Sequence, residues 1–227
     1  MPVDVVFTPA RAAPAAVGVV VDVIRATSTI ARALASGYER VLCCAEIEDA
    51  RALRARLPDS LLGGERQAVR VEGFDVGASP REFLEARAST LILSTTNGTR
   101  AILETAERCD RVLLGSLLNL SAVAVAAAAA SHDVSVVCAG FKGGFALDDA
   151  YCAGRIVQRL EGERTHAASG AALLADAFPV ALDGLNARTY GPPGLEEDIA
   201  YCAQVDLLDV VPELTGVEGP AAEIMRR

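Results

Sequence analysis

The sequence of 227 residues has no tryptophan, few other aromatic residues and no long hydrophobic run. Aromatic residues make up 4% of the chain, and only two histidines occur, His132 and His166. No apolar stretch approaches the roughly 20 residues that a transmembrane helix needs. Residues 1–16 lack the basic region followed by an apolar stretch that is typical of a signal peptide. We therefore expect a cytoplasmic protein that does not bind membranes.

Paired cysteine motifs are also absent. The six cysteines, at positions 43, 44, 109, 138, 152 and 202, form no Cys-x-x-Cys pair, and the two histidines lie far apart. A structural zinc site is therefore not expected. A disulfide framework would be unusual for a chain of this length. We predict reduced, mostly buried thiols, because free cysteine is usually an interior residue.

Basic residues are fewer than acidic residues. The chain has 21 Lys and Arg against 30 Asp and Glu, a formal net charge of −9. Nucleic acids and anionic membrane surfaces are poor partners for such a protein, because their binding relies on basic patches. An anionic small molecule stays a candidate ligand, provided that arginines, helix N-termini or a divalent cation compensate its charge locally.

The sequence does contain apolar strand-like runs that alternate with helical segments. The clearest predicted strands are Val17–Val23, Val41–Ala45, Thr90–Ser94, Val112–Gly115 and Val134–Cys138. Such continuous apolar strands indicate an α/β fold with a largely parallel, mixed sheet covered by helices on both faces. We treat residues 1–227 as one α/β unit. A subdivision into a core, residues 1–160, and a smaller C-terminal lobe, residues 161–227, stays open.

Two further patterns concern helices. Ser79-Pro80-Arg81-Glu82 combines Ser at the N-cap, Pro at N1 and Glu at N3, a capping box that predicts a helix start. Near the C-terminus, Ala167–Phe178 and Leu195–Val205 have helical patterns.

The first candidate site loop follows the strand Val17–Val23. It contains Asp22, Arg25, Thr27, Ser28 and Thr29. An aspartate at a strand end can bind a metal, and the helix that begins here offers free N–H groups to an anion. Arg25 suits a phosphate, sulfonate or carboxylate. The structural alternative is that Asp22 caps the turn and Arg25 pairs with a nearby acid.

The second loop, Thr95-Thr96-Asn97-Gly98-Thr99-Arg100, follows the strand Thr90–Ser94. Short hydroxyls and a glycine that enter a helix can cradle a phosphate. The Gly-x4-Gly-Lys-Ser/Thr spacing of a P-loop is absent. An Asn-Gly turn with a threonine N-cap is the structural alternative.

The third loop extends from Cys138 to Asp149. Asp148 and Asp149 could hold Mg²⁺, which prefers one or two carboxylates, waters and phosphate oxygens. They could instead be charge partners of a helix N-terminus, which is the commoner role. Gly143 and Gly144 would let the backbone approach a ligand closely.

Spacing argues against several other phosphatase chemistries. A cysteine-phosphatase loop needs Arg six positions after Cys, and Gly144 stands there relative to Cys138. An Asp-x-Asp nucleophile is absent, because Ile24 stands two positions after Asp22. His132 is predicted at the end of the sheet opposite to the site loops. Metal-assisted attack by water fits the sequence best.

Taken in order, these loops resemble the 2-phosphosulfolactate phosphatase family. The matching motifs are Val21–Thr29, Gly64-Glu65-Arg66, Gly73-Phe74-Asp75, Ser79-Pro80, Thr95–Arg100, Asn119, Cys138-Ala139-Gly140 and Asp149–Gly154. There are two departures. The family usually has Asn where Ala78 stands, and Glu-Asp where Asp148-Asp149 stands.

The resemblance implies Mg²⁺-dependent hydrolysis of 2-phospho-3-sulfolactate to 3-sulfolactate and phosphate, a step toward coenzyme M. On this basis Asp22, Arg25 and Ser28 are candidate catalytic residues, with Asp22 or Ser28 as a covalent nucleophile left open. The candidate metal ligands are Asp22, Glu65, Asp75, Asp148 and Asp149. The candidate substrate-binding residues are Arg25, Thr27, Ser28, Thr29, Arg66, Thr95, Thr96, Asn97, Gly98, Thr99 and Asn119.

Alternatives are the same chemistry on another phosphorylated hydroxy acid, and a non-catalytic anion-binding module. The expected partner is an anionic phosphorylated small molecule, and a homo-oligomer is left open.

Overall fold

The computed structural model describes residues 1–9, 14–130, 132–177, 192 and 194–227. Within these ranges the strands are β1 Pro2–Val6, β2 Ala15–Val21, β3 Arg40–Cys44, β4 Leu61–Arg66, β5 Val69–Arg70, β6 Thr90–Ser94, β7 Cys109–Gly115, β8 Val134–Cys138, β9 Glu163–Arg164, β10 Pro212–Glu218 and β11 Ala221–Arg226. The α-helices are α1 Ala26–Ala35, α2 Ile47–Arg56, α3 Gly98–Ala106, α4 Leu120–Ala128, α5 Leu147–Val157, α6 His166–Ala177 and α7 Leu195–Cys202.

All eleven strands belong to one sheet, in the order β5-β4-β6-β3-β11-β10-β7-β2-β8-β1-β9. Strands β4, β6 and β3 are parallel to one another, and so are β7, β2, β8, β1 and β9. The antiparallel hairpin β10–β11 lies between these two groups and pairs with β7 on one side and β3 on the other. The predicted α/β class with a mostly parallel sheet is confirmed.

Helices cover both faces of the sheet, as predicted. On β2, Val17, Val19 and Val21 belong to one apolar cluster with residues of α4, α5 and α6. Val20, the intervening residue, belongs to a second cluster with residues of α1 and α3. Successive strand residues point to opposite faces, so this alternation shows that β2 is buried on both sides. Burial on both faces accounts for the absence of polar residues from this strand.

Helix α2 shows how local signals fix an element. Pro58 follows it closely, and Glu48 and Asp49 stand in its first turn, with Arg54 and Arg56 in its last. These charges complement the helix dipole at both ends.

The capping box at Ser79 forms, but it does not begin an α-helix. Ser79 Oγ accepts the Arg81 N–H, and Glu82 accepts the Ser79 N–H. Only a 3₁₀ turn, Pro80–Phe83, follows. Phe83 is fully buried against Tyr38, and β6 begins at Thr90. The predicted helix start is confirmed at Ser79, but the helix that follows is a short 3₁₀ helix and not an α-helix.

The C-terminal third of the chain contains helices as well as strands, and its strands belong to the same sheet as the N-terminal ones. Helices α6 and α7 agree closely with the predicted helices; Phe178, the predicted end of the first, lies outside the described residues. The hairpin β10–β11 was not predicted. None of the described helices has both the length and the apolar character required to cross a membrane.

Candidate active site

A cavity of about 270 Å³ lies among the loops that follow β2, β4, β6 and β8. Strands from both parallel groups therefore contribute loops to one pocket. Its acidic lining residues are Asp22, Glu65, Asp148 and Asp149, and its basic ones, among the residues described, are Arg25 and Lys142. Thr95, Thr96 and Asn97 add polar groups. The pocket thus combines carboxylates with cations and small polar side chains, as expected of a site for an anion and a metal.

Asp22 stands directly after β2 and closes the turn into α1. Its Oδ1 accepts the Ala26 N–H at 3.2 Å, and no described residue donates a hydrogen bond to its Oδ2. Thr27 fixes the same turn, because its hydroxyl donates to the Asp22 carbonyl at 2.8 Å and accepts the Asp22 N–H. The turn therefore leaves one carboxylate oxygen of Asp22 available to the pocket.

The other hydroxyls at the start of α1 are occupied by the protein itself. Ser28 Oγ donates to the Val23 carbonyl at 2.8 Å, and Thr29 Oγ1 donates to the Ala78 carbonyl at 2.8 Å. Both side chains are fully buried. Neither residue lines the cavity, and nor does Thr27. These three predicted binding residues therefore stand behind the pocket wall and hold the loop in place.

The second loop is held by Glu65. Its carboxylate accepts the Thr96 N–H at 2.8 Å through one oxygen and the Ala68 N–H at 2.7 Å through the other. Thr95 Oγ1 lies 3.0 Å from Thr99 Oγ1 and accepts the Thr99 N–H in the first turn of α3. The N-cap residue of α3 is Asn97, whose side chain makes no capping hydrogen bond, so the threonine N-cap of the structural alternative does not form.

Thr96 offers a polar group to the pocket. Its Oγ1 is buried and has no hydrogen-bond partner among the described residues. A buried hydroxyl without a partner carries a free-energy cost of about 1–3 kcal/mol, which a bound anion would relieve. Asn97 follows it in the pocket wall.

Gly98 is required by close packing. A Cβ atom here would collide with Ala26 Cβ and lie 2.7 Å from Asp22 Oδ2. The first turn of α3 therefore approaches the Asp22 loop closely because residue 98 has no side chain. Gly98 and Thr99 support the pocket and do not line it.

Asp149 joins the first and third loops. One carboxylate oxygen accepts the Val23 N–H at 2.9 Å, and the other accepts the Gly140 N–H at 3.0 Å. The side chain is nearly fully buried. Asp148 precedes it in the first turn of α5 and also lines the pocket.

The three aspartates all have raised pKa values, mainly because they are buried. Burial, together with nearby Glu65 and Asp148, raises the pKa of Asp22 to about 7. Burial, Asp148 and Asp22 raise the pKa of Asp149 well above its ordinary value. Burial also raises the pKa of Asp148. Because ionised carboxylates are disfavoured here without a counter-charge, the pocket favours a cation.

Arg25, on the same loop as Asp22, also lines the pocket and is held by two groups. Its Nη1 donates to Asp198 Oδ2 at 2.6 Å, and its Nη2 donates to the Ala68 carbonyl at 2.9 Å. Ser79 Oγ donates to the other oxygen of Asp198 at 2.5 Å. The side chains of Arg25 and Asp198 are 9% and 3% exposed, so this is a buried ion pair that fixes the guanidinium.

Three further predicted site residues do not line the cavity and have other contacts. Arg66 donates to the carbonyls of Glu65, Ser94 and Ala45, so it ties strand ends together. Asp75 accepts the Leu62 N–H at 2.9 Å and lies 3.8 Å from Arg54. Asn119 is fully buried; it accepts from Ser116 and donates to the Leu114 and Val210 carbonyls. The structure does not bring these three to the pocket.

The acidic lining residues can be tested against the needs of Mg²⁺. In the described part of the chain, no group of three or more His, Cys, Asp or Glu side chains is arranged to hold a metal ion by itself. Mg²⁺ ordinarily keeps several waters and uses only one or two carboxylates together with phosphate oxygens. Asp22 and Asp148 meet that smaller requirement, since both line the pocket and carry raised pKa values. The residues present therefore fit Mg²⁺ bound together with a phosphorylated ligand.

Sequence reasoning missed several residues of the site. Asp198 lies on α7, 173 positions from Arg25, and no local pattern indicates that pairing. Lys142 lies between Gly140 and Gly143 in the third loop. Its positive charge was the one signal in the sequence that could have identified it as a site residue. Ala78 was noted only as a departure from the family pattern; it lines the pocket, so the missing amide falls within the site.

The fold and the pocket define an α/β protein with a pocket that combines carboxylates with basic and small polar side chains. The comparisons with known proteins are more specific. The family model described as 2-phosphosulpholactate phosphatase matches residues 6–216. The chain belongs to this family.

Relatives in several bacteria support this assignment over nearly the whole chain. A probable 2-phosphosulfolactate phosphatase of Symbiobacterium thermophilum is 38% identical over 221 residues, 91% of this chain and 94% of the relative. One from Carboxydothermus hydrogenoformans is 37% identical over 225 residues, 94% of this chain and 93% of the relative. Proteins with this name are phosphoric monoester hydrolases.

Proposed function

We propose that this chain is a Mg²⁺-dependent phosphatase that hydrolyses 2-phospho-3-sulfolactate to 3-sulfolactate and phosphate, a step of coenzyme M biosynthesis. The family membership supports the phosphatase chemistry. The observation that carries the proposal is one pocket in which Asp22, Asp148 and Asp149 stand together with Arg25 and the unpartnered hydroxyl of Thr96. A metal-dependent phosphatase needs carboxylates for the cation and hydrogen-bond donors for the phosphate, and this pocket contains both kinds of group.

Each residue has a distinct part in the proposal. Asp22 and Asp148 would hold Mg²⁺, and Asp149 fixes the two loops that carry them. When bound, Mg²⁺ neutralises charge on the phosphoryl and leaving oxygens. Arg25 and Thr96 bind phosphate oxygens and align phosphorus with the attacking group. Positioning of this kind supplies much of the catalysis in phosphoryl transfer.

The reaction consumes one water. The bond between phosphorus and the ester oxygen breaks, that oxygen takes a proton to become the hydroxyl of 3-sulfolactate, and phosphate leaves. In direct attack, the water oxygen bonds to phosphorus as the ester bond breaks, and phosphate forms in one step. With Asp22 as a covalent nucleophile, its oxygen would bond to phosphorus first, and water would release phosphate from the carboxylate in a second step. Ser28 is the weaker nucleophile candidate, because it does not line the pocket and its hydroxyl donates to the Val23 carbonyl.

Phosphate release from 2-phospho-3-sulfolactate, with Mg²⁺ and with EDTA, tests this proposal. We expect turnover with Mg²⁺, loss of turnover in EDTA, and recovery when Mg²⁺ is restored. Turnover only of other phosphorylated hydroxy acids would keep the chemistry and change the substrate; Ala78 in the pocket wall, where the family usually has Asn, is the feature that favours this second candidate. No metal-dependent turnover of any ester would indicate an anion-binding module.

The cytoplasm is the proposed location. All six cysteines are buried and unpaired, as is usual for proteins of a reducing compartment.

A further inference from the structure

Lys142 is chemically unusual in this chain. It is the only lysine of the sequence, since every other residue among the 21 Lys and Arg is an arginine. It lines the candidate pocket. Lysine presents a compact point charge on a flexible stem, whereas arginine presents a rigid planar fork. The one flexible cation of the protein therefore stands at the site.

A tight turn places Lys142 there. Phe141 and Gly144 exchange two backbone hydrogen bonds, of 3.0 and 2.9 Å, around Lys142 and Gly143. The two turn residues have φ values of +52° and +76°, the geometry of a type I′ turn. Asn, Asp or Gly is usual at the first position of such a turn, and a left-handed conformation is strained for other residues. Strain of this kind is concentrated at functional sites.

The turn is connected to the acidic residues. Gly140, at its base, donates its N–H to Asp149 Oδ2 at 3.0 Å. Gly140 has a φ of +72°, and a Cβ atom there would collide with the Gly144 carbonyl oxygen, so the turn packs closely on its own base. Lys142 is thus held by the same backbone that orients Asp149.

The charges of the pocket give Lys142 a role. The proposed function assigns Arg25 to the phosphate. Lys142, whose Nζ lies 5.3 Å from the centre of the Phe141 ring, is the other cation among the described lining residues. A phosphorylated hydroxy acid carries a carboxylate or a sulfonate in addition to its phosphate. We propose that Lys142 binds this second anionic group and so selects substrates that have one. The inference rests on the proposed function and deepens it by naming the substrate class.

Two variants separate charge from backbone geometry. Lys142→Asn removes the charge and suits the positive φ, because Asn-Gly is a preferred type I′ pair. Lys142→Arg keeps the charge. For 2-phospho-3-sulfolactate we expect Lys142→Asn to raise KM about tenfold or more, since a hydrogen bond to a charged group contributes about 1.5–3 kcal/mol. Lys142→Arg should retain most of the wild-type affinity.

The substrate series decides between a second-anion site and a general effect. 2-Phospholactate carries only a carboxylate beside its phosphate, and the phosphate ester of isethionate carries only a sulfonate. A KM effect confined to one or both of these supports the proposal and identifies the group. p-Nitrophenyl phosphate has no second anion, so its KM should change less than about twofold. An equal change for all of the esters would overturn the proposal.

A binding measurement keeps this inference separate from turnover. Reductive methylation of the native protein modifies amines, so Lys142 and the amino terminus are the labelled groups, and mass spectrometry resolves them. We expect 3-sulfolactate to slow the labelling of Lys142 severalfold and to leave the amino terminus unaffected. Equal labelling with and without 3-sulfolactate would overturn the role of Lys142. If no ester is hydrolysed, the proposed function fails. The effect of 3-sulfolactate on the labelling of Lys142 would still show whether Lys142 binds this anion.

Discussion

Arg25 and Asp198 form a buried ion pair across 173 residues of sequence, with Nη1 and Oδ2 2.6 Å apart. The pair joins the loop after β2 to helix α7, so the C-terminal part of the chain positions a cation that the N-terminal part supplies. Ser79 and Arg81 also contact Asp198. In these contacts Asp198 meets none of the acidic pocket residues, which are Asp22, Glu65, Asp148 and Asp149. Its expected role is therefore to position Arg25.

Asp198→Asn should weaken substrate binding through Arg25. The change keeps the side-chain shape and leaves the buried guanidinium without a counter-charge, which typically costs about 3–5 kcal/mol. We expect a lower free energy of unfolding in urea and a rise in KM of about tenfold. In an Arg25→Met background the same substitution should leave KM unchanged, because the residue through which it acts is gone.

Arg81→Ala is the matched control for that change. Arg81 contacts the same carboxylate at 3.5 Å, but its side chain is 45% exposed, so its loss should cost less than about 1 kcal/mol. A wild-type KM in Asp198→Asn would contradict the positioning role.

Asp22 should make stability depend on pH in the absence of metal. Its pKa is about 7 in the folded protein against 3.8 ordinarily, so the folded state keeps a proton that the unfolded state loses near pH 4. The unfolding free energy should therefore fall as pH rises from about 4 to 7. Thermal unfolding in EDTA at pH 5 and at pH 8 measures this, and Mg²⁺ should restore stability mainly at pH 8.

Asp22→Asn should flatten that pH dependence and nearly abolish phosphate release, while the fold is retained. The neutral amide removes the repulsion from Glu65 and Asp148, and it also removes the oxygen charge that a cation needs. An Asp22→Asn protein with the wild-type pH profile would show that Asp22 does not carry the effect. Unchanged kinetics would remove Asp22 from the site.

Much of the site was predictable because its signals are local. An apolar run followed at once by polar residues identifies a strand end and its loop, and this placed Asp22, Thr96, Asn97 and Asp149 together. Pairings between distant segments have no such signal. The Arg25–Asp198 pair and the insertion of β10–β11 between β3 and β7 depend on how segments about 100 residues or more apart pack.

Residue type alone also misleads at strand ends. Arg66 and Ser28 have the chemistry of a phosphate site, yet both bond to backbone carbonyls that have to be satisfied when the loops are buried. From sequence, a buried structural donor and a ligand-binding donor look alike. The environment of the side chain separates them.

Asn119 gives an experimental test of that distinction. Its amide accepts from Ser116 N and Oγ at 2.9 and 2.8 Å and donates to the Leu114 and Val210 carbonyls. Asn119→Ala should lower the free energy of unfolding by about 2–3 kcal/mol, because buried polar groups lose their partners. KM should stay near the wild-type value. A large rise in KM without loss of stability would instead support the substrate-binding role predicted from sequence.

Gly98→Ala should impair catalysis without unfolding the protein. Alanine favours a helix over glycine by about 1 kcal/mol, so α3 itself gains. The new Cβ would nevertheless lie 2.7 Å from Asp22 Oδ2 and collide with Ala26, so the Asp22 loop has to move. Since a displacement of about 1 Å can cost about 100-fold in rate, we expect kcat for phosphate release to fall at least tenfold.

Gly170→Ala provides the comparison for that substitution. Gly170 also lies in a helix, α6, but a Cβ atom there meets nothing within 4 Å. This variant should gain stability from the same helix preference and keep the wild-type kcat. If both variants retain full activity, the contact between Gly98 and Asp22 does not govern catalysis. If only Gly98→Ala loses activity, close approach of α3 to Asp22 is what positions the carboxylate.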